Sequence, residues 1–334
     1  MRISILDQSP IISGHTPAQA IHATLELARA ADRLGYHRYW LAEHHAMKGL
    51  ADPCPEILLG QLAAATSRIR VGTGGVLLPY YSPLKVAEVF RMYEALFPGR
   101  IDLGIGRAPG GNLLTARAMN ADAFAGEDRF PTQVQETVGY MNDALPPDYP
   151  FHAVKAMPGR PTSPEVWLLG SSDYSGSLAA YLGLRFSFAH FISAHGGPAV
   201  MRGYRGDFRP VYRDEQPYCM VAVFAICAPT QSEAERLAAS IDLRRLQMAR
   251  GEEEPIATIE DALARSYTDA ERAIIEKERA RAVIGTPDAV KQRLLELKEQ
   301  FQADEIMVIT ITGDYASRLR SYELLAAAFG LQAQ

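Results

Sequence analysis

The chain has 334 residues, 48% apolar and 22% charged, with a net charge of −5 and a pI near 5.9. That length supports one large α/β barrel or two medium domains, and the acidic balance argues against a face built for nucleic acid or an anionic membrane. Three cysteines (Cys54, Cys219, Cys227) with no CxxC spacing suit a reducing compartment, no apolar stretch reaches membrane-spanning length, and Asp7 interrupts the first apolar run, so a cytoplasmic protein without a signal peptide is expected.

Short apolar runs rich in Ile, Val, Leu and Phe alternate with helical segments along the chain. The first run, 3–6, precedes Thr16-Pro17, a hydroxyl N-cap with proline at the first helical position, and that helix stops at Gly35. A second strand, 38–41, runs into Glu43-His44-His45. A third, 69–72, runs into Gly72-Thr73-Gly74-Gly75. Ser82-Pro83 announces a helix over 85–97, which Pro98-Gly99 closes. The fourth strand, 101–105, enters Gly104-Ile105-Gly106-Arg107-Ala108-Pro109-Gly110-Gly111. A proline-rich stretch, 146–164, forms a hairpin or excursion before the fifth strand, 166–169. That strand enters Gly170-Ser171-Ser172-Asp173-Tyr174-Ser175-Gly176, with a helix over 176–182. Strands at 186–189, 220–226 and 305–309 complete the series, and Thr286-Pro287 opens a further helix. Between the seventh and eighth strands, 251–281 is densely charged and helical in pattern. It is too long for a plain βα loop and reads either as a lid or as a surface insertion without function. Near-continuous apolar strands separated by helices specify a parallel sheet covered on both sides. Eight such units specify a single (β/α)8 TIM barrel over residues 1–334, with insertions before strand 5 and between strands 7 and 8.

In a barrel the carboxyl ends of the strands share one face, where the chemistry lies. Side chains alternate along a strand, so Glu43 and His45 point one way and His44 the other, although at a strand terminus either imidazole could reach the mouth. Histidine is the side chain that can be acid or base near neutral pH. A buried structural histidine and a metal ligand are the competing readings; adjacent residues rarely chelate one ion, and no HExxH spacing follows, so no metal is expected. Gly74 and Gly75 let backbone approach a flat ligand, or simply serve a tight turn. The glycines around Arg107 do not match GxGxxG, and Arg107 suits an anion clamp or a surface salt bridge. Ser171, Ser172 and Ser175 at a helix start form a phosphate cradle or ordinary caps, with Asp173 turned outward. Gln8 and His190, after the first and sixth strands, are candidates for the substrate side.

The segments 39–45, 71–79, 99–107 and 166–176 together resemble the bacterial-luciferase-like flavin monooxygenases. So does 303–326, with Asp304-Glu305-Ile306-Met307-Val308 and Arg318-Leu319-Arg320-Ser321-Tyr322-Glu323. The resemblance covers essentially the whole chain and is closer to the unassigned luciferase-like oxidoreductase branch than to light-emitting luciferase. It implies a barrel that binds FMN. Arg107, Gly170, Ser171, Ser172, Tyr174 and Ser175 match the phosphate-binding segment, and Gly74 and Gly75 match the segment beside the isoalloxazine ring, where relatives often hold a non-proline cis peptide. His44 matches the catalytic histidine, with His45 beside it on the substrate side. Luciferase carries a reactive cysteine where this chain has Gly106, so neither light emission nor a long-chain aldehyde substrate is expected.

The activity so implied is an FMN-dependent monooxygenase that uses reduced flavin and dioxygen on a small organic substrate, with His44 as base or hydrogen-bonding partner. No second dinucleotide domain is visible, so a separate flavin reductase is expected to supply reduced FMN. A homodimer or higher assembly follows from the resemblance. The rivals are a deazaflavin-dependent or flavin-dependent hydride-transfer oxidoreductase and a non-catalytic flavin-binding protein.

Overall fold

The computed structural model describes residues 1–332 apart from 125–127, 160–161, 194 and 212–215. Nine strands make one all-parallel sheet: β1 (Arg2–Asp7), β2 (Arg38–Leu41), β3 (Arg70–Leu77), β4 (Ile101–Gly106), β5 (Glu165–Gly170), β6 (Arg185–Ala189), β7 (Cys219–Cys227), β8 (Ala282–Gly285) and β9 (Glu305–Ile309). Strands β1 to β7 and β9 close into an eight-stranded barrel, β1 pairing with β9, β9 with β7, and β7 with β6. The eight expected strands are these eight. The ninth, β8, lies outside the ring on residues 224–227 of β7. Four residues directly behind a charged helical segment carry too little pattern to stand out as a strand.

The helices are α1 (Pro17–Leu34), α2 (Pro55–Ala65), α3 (Pro83–Leu96), α4 (Leu113–Met119), α5 (Phe130–Asn142), α6 (Asp173–Tyr181), α7 (Gly197–Gly206), α8 (Gln231–Ala249), α9 (Ile259–Ala264), α10 (Asp269–Arg279), α11 (Pro287–Gln300) and α12 (Tyr315–Phe329). Thr16 and Gln19 form a full capping box on α1, and Gly35 ends it in the left-handed conformation at φ 86°. Ser82 caps α3, whereas Thr286 precedes α11 without a side-chain capping bond. The 146–164 stretch is an excursion of turns with no strand pairing among its described residues, so the hairpin alternative does not form. The 251–281 insertion supplies α9 and α10, which pack on α8. Among the described residues no helix is long and apolar enough to cross a membrane.

The glycine run extends β3 rather than following it. Glycine weakens strand propensity, so the sequence places the strand's end at 72, but backbone pairing with β4 carries it to Leu77 through a register shift between Thr73 and Val76. The Gly74-Gly75 peptide within it is cis.

The barrel interior is layered. Its lower end is charged: Arg38 donates to Asp102 and Glu165 at 2.8 Å each and to Glu305 at 3.1 Å, while Arg70 and Arg185 also pair with this acidic set. The Arg38 side chain is 1% exposed, so full pairing is what makes its burial tolerable. Above it Trp40 and Trp167 meet edge to face at 5.3 Å, and Trp40 Nε1 donates to Asp102 at 2.9 Å. Leu6, Met220 and Met307 share this apolar layer. Asp7, the next residue on β1, points outward instead and is held by Arg318 of α12 at 2.5 Å, by Thr24 and by Tyr39. That clamp ties the last helix to the first strand and fixes where Gln8 emerges. The plugged lower end leaves the upper, carboxyl end of the barrel as the place for a site.

Candidate active site

A cavity of about 620 Å³ opens at the carboxyl ends of the strands, within the ~300–1,000 Å³ range of small-molecule sites. Leu6, Trp40, Leu169, Ala222 and Met307 line its inner part, and Gln8, His44, Arg107, Gly170, Ser171, Ser172 and Ser175 line its rim. Segments distant in sequence are brought together here because each leaves the same end of its strand.

One wall has almost no side chains. Gly74, Gly75 and Gly106 line the cavity, with Gly104 below them on β4. A Cβ on Gly104 would sit 2.1 Å from the Thr73 carbonyl oxygen, and one on Gly75 would sit 2.6 Å from that of Gly104. Both obstacles are backbone, so only glycine permits β3 and β4 to come this close. The result is a bare peptide surface against which a planar ring can lie.

On the adjacent wall, alternation along β2 places Trp40, Ala42 and His44 on the cavity side. Glu43 and His45 pair with each other, His45 Nε2 lying 2.8 Å from Glu43 Oε1, and of the two only Glu43 lines the cavity. Glu43 is fully engaged: Tyr81 donates to the same oxygen at 2.7 Å, and the Leu77 amide donates to the other at 2.9 Å. The His45 amide donates to the Gly110 carbonyl at 2.8 Å. This pair therefore ties the end of β2 to the loops after β3 and β4, and His45 is not among the lining residues. His44 is different. Its Nδ1 is buried without a hydrogen-bond partner. Burial first, then the Arg244 guanidinium and the adjoining His45 ring, lower its pKa to about 4 against an opposing backbone hydrogen bond to Ala42, so the ring is neutral at pH 7 and its Nδ1 is unclaimed. Asp52, whose carbonyl accepts the His44 amide, is 5% exposed and pushed up to about 7, mainly by burial.

The opposite rim is the start of α6. The helix begins at Asp173, three residues earlier than its hydrophobic pattern suggests, so Tyr174 and Ser175 belong to its first turn. Ser172 takes the N-cap position but makes no capping bond. Its hydroxyl and that of Ser175, 3.3 Å away, stay at the cavity beside the helix N-terminus, where the Tyr174 amide donates to Asp173 Oδ1 at 2.9 Å. Asp173 is exposed and is not a lining residue. Gly170 accommodates Ser175, whose Oγ lies 2.0 Å from where a Cβ would be. Arg107 reaches the same rim and lies over the Tyr174 ring at 4.2 Å, so Tyr174 supports the cradle from behind without lining it. Arg107 Nη1 donates to Asp128 at 2.9 Å, and Tyr174 donates to the same oxygen at 2.7 Å. Asp128 lines the cavity but belongs to no motif, and nothing in its sequence neighbourhood marks it.

Gln8 lines the cavity and His190 does not. The chain turns at the end of β6, and the His190 ring packs against Phe301 at 5.3 Å while Phe191 takes the inward position. Among the described residues no cluster of three or more His, Cys, Asp or Glu could hold a metal ion.

Residues 1–304 match the family model described as luciferase-like monooxygenase. The chain is 38% identical over 321 residues to a luciferase-like monooxygenase of Escherichia coli K12, covering 96% of this chain and 95% of that protein. It is 35% identical over 331 residues to the N-acetyl-S-alkylcysteine monooxygenase of Bacillus subtilis, covering 98% of each. The crystal structure of apo-MsnO8 superposes with a TM-score of 0.91 at 40% identity, covering 100% of this chain and 99% of that one. A whole-chain match of this kind, on a barrel whose open end carries a glycine wall and a histidine with one unclaimed ring nitrogen, places the protein in the luciferase-like monooxygenase family, a flavin-binding family of oxygenases.

Proposed function

We propose that the protein is an FMN-dependent monooxygenase that takes reduced FMN and dioxygen and oxygenates a small organic substrate. The observation that carries this reading is the bare β3–β4 wall, with His44 beside it and the Arg107–serine cradle at its edge. A planar ring against Gly74, Gly75 and Gly106 leaves a phosphate tail free to reach Arg107, Ser171, Ser172, Ser175 and the α6 amides. Tyr174 supports Arg107.

When bound and reduced, FMN supplies the electrons that activate dioxygen. The chain's own part is to hold and orient the cofactor, to keep bulk water out with Phe124, Phe191 and Ile192 at the rim, and to manage one proton at the unclaimed nitrogen of His44. Gln8 faces the remaining space and is assigned to the substrate side. Among the described residues the lining holds no free cation once Arg107 is engaged, which favours an uncharged reacting group. N-acetyl-S-alkylcysteines, named for the Bacillus subtilis relative, are the first compounds to assay. The same reading includes a separate flavin reductase, a homodimer or higher assembly and a cytoplasmic location.

Titration of the purified protein with FMN, riboflavin and a deazaflavin, followed by a single turnover with reduced FMN under oxygen, tests it. Micromolar FMN binding that Arg107→Ala weakens, with oxygen incorporated into product, is expected. Selective deazaflavin binding with hydride transfer would favour the reductase alternative, and flavin binding without turnover the sequestering one.

A further inference from the structure

Arg107 is the only arginine or lysine among the described residues lining the cavity, and it is already occupied. Its Nη1 lies 2.9 Å from Asp128 Oδ2, the oxygen that also accepts the Tyr174 hydroxyl at 2.7 Å. The other Asp128 oxygen accepts the Phe130 amide at 3.1 Å, at the start of α5. A carboxylate thus stands on the two side chains that the flavin reading gives to phosphate binding and support.

We propose that Asp128 is an internal anion that holds Arg107 in the absence of cofactor, gives way to the flavin phosphate, and thereby sets FMN affinity and the discrimination between FMN and riboflavin. The inference rests on the flavin reading above. A phosphate monoester carries about −1.5 to −2 charges at pH 7, so it and Asp128 compete for one guanidinium. Arg107 and Asp128 are each 46% exposed, which makes their pair weak enough to exchange. Burial opposes ionisation of Asp128, but the Tyr174 hydroxyl, the Phe130 amide and Arg107 together hold its carboxyl below the usual range. It therefore stays an anion throughout the neutral range. Displacement frees Arg107 at a cost that riboflavin, which has no phosphate, never meets. The consequence is a cofactor that binds loosely enough to exchange with a diffusing supplier.

Asp128→Asn tests this, because the amide keeps an oxygen for the Phe130 N–H while removing the charge. Flavin fluorescence titrations of the full-length wild type and variant with FMN and with riboflavin at low salt give the readout, and thermal melts verify that both are folded. The variant should bind FMN up to about fivefold more tightly, equivalent to about 1 kcal/mol, with riboflavin affinity unchanged. Unchanged or weaker FMN binding by a folded variant, with wild type binding normally, overturns the inference and leaves the flavin reading standing. Equal gains for FMN and riboflavin also overturn it, since the phosphate would then not be the competitor. A wild type that binds neither flavin overturns the flavin reading itself, and this role with it.

Discussion

Gly106 offers a perturbation that separates the ligand from the fold. A Cβ at this position would lie 3.6 Å from Leu77 Cδ2 and 3.9 Å from the Val76 carbonyl oxygen, which are ordinary contacts. Two residues earlier on the same face, a Cβ on Gly104 would lie 2.1 Å from the Thr73 carbonyl oxygen. Gly106→Leu should therefore fold as wild type while its side chain enters the 620 Å³ cavity. Forcing extra methylenes into a filled site costs ~1–3 kcal/mol, which at about 1.4 kcal/mol per decade is roughly a 5- to 150-fold loss of affinity. FMN and riboflavin should lose equally, because the ring is what the leucine meets. Gly104→Ala, in contrast, should lower the melting temperature or abolish folding, since backbone cannot yield to the new methyl. Flavin titration and thermal melts of the two variants give the comparison. A Gly106→Leu protein that binds FMN with wild-type affinity would mean that the ring does not rest on this wall. A Gly104→Ala protein as stable as wild type would mean that the close approach of β3 and β4 is not what the glycine serves.

Three further outcomes are expected. His44→Gln should lower turnover by ~10²–10⁴ with FMN affinity retained, and turnover unchanged by the substitution would refute the assignment; because the His44 pKa is lowered to about 4, its acid limb in the wild-type pH–rate profile should fall near pH 4, and a limb near 6.5 that vanishes in the variant would contradict the lowered pKa. Asp52→Asn should stabilise the protein above neutral pH. The Asp52 carboxyl is raised from 3.8 to about 7 in the folded state, so its contribution is fully present below about pH 4 and is lost as pH rises through 7, by on the order of 4 kcal/mol; identical urea midpoints for wild type and variant at pH 8 would refute the shift. Arg38→Ala should cost ~3–5 kcal/mol, because Asp102, Glu165 and Glu305 lose a shared buried partner; a denaturant midpoint unchanged from wild type would show that the remaining arginines compensate.

The strands and their punctuation were legible because they depend on local physics. Apolar runs at 38–41, 101–105 and 305–309 are buried in any packing that a parallel sheet allows, and the capping box at Thr16 and the stop at Gly35 are made by neighbours within one turn. Where local preference and tertiary pairing disagree, the sequence misleads: glycine propensity ends β3 at 72, and pairing with β4 extends it to 77. The β8 strand exists only because the edge of β7 extends beyond the barrel and is there to be paired.

By itself, then, the chain's sequence determined an eight-unit barrel and the strand ends that carry polar and glycine-rich segments, since burial periodicity and alternation are properties of short stretches. Which imidazole meets the cavity depended on how the end of β2 is tied down. His45 is drawn outward by Glu43, itself fixed by Leu77 and Tyr81, and His44 is left facing in. The same holds for His190, turned onto Phe301, and for the Asp128 carboxylate on Arg107. Those outcomes are contacts between residues far apart in the chain. They come into being only when the barrel closes, so tertiary structure alone could decide them.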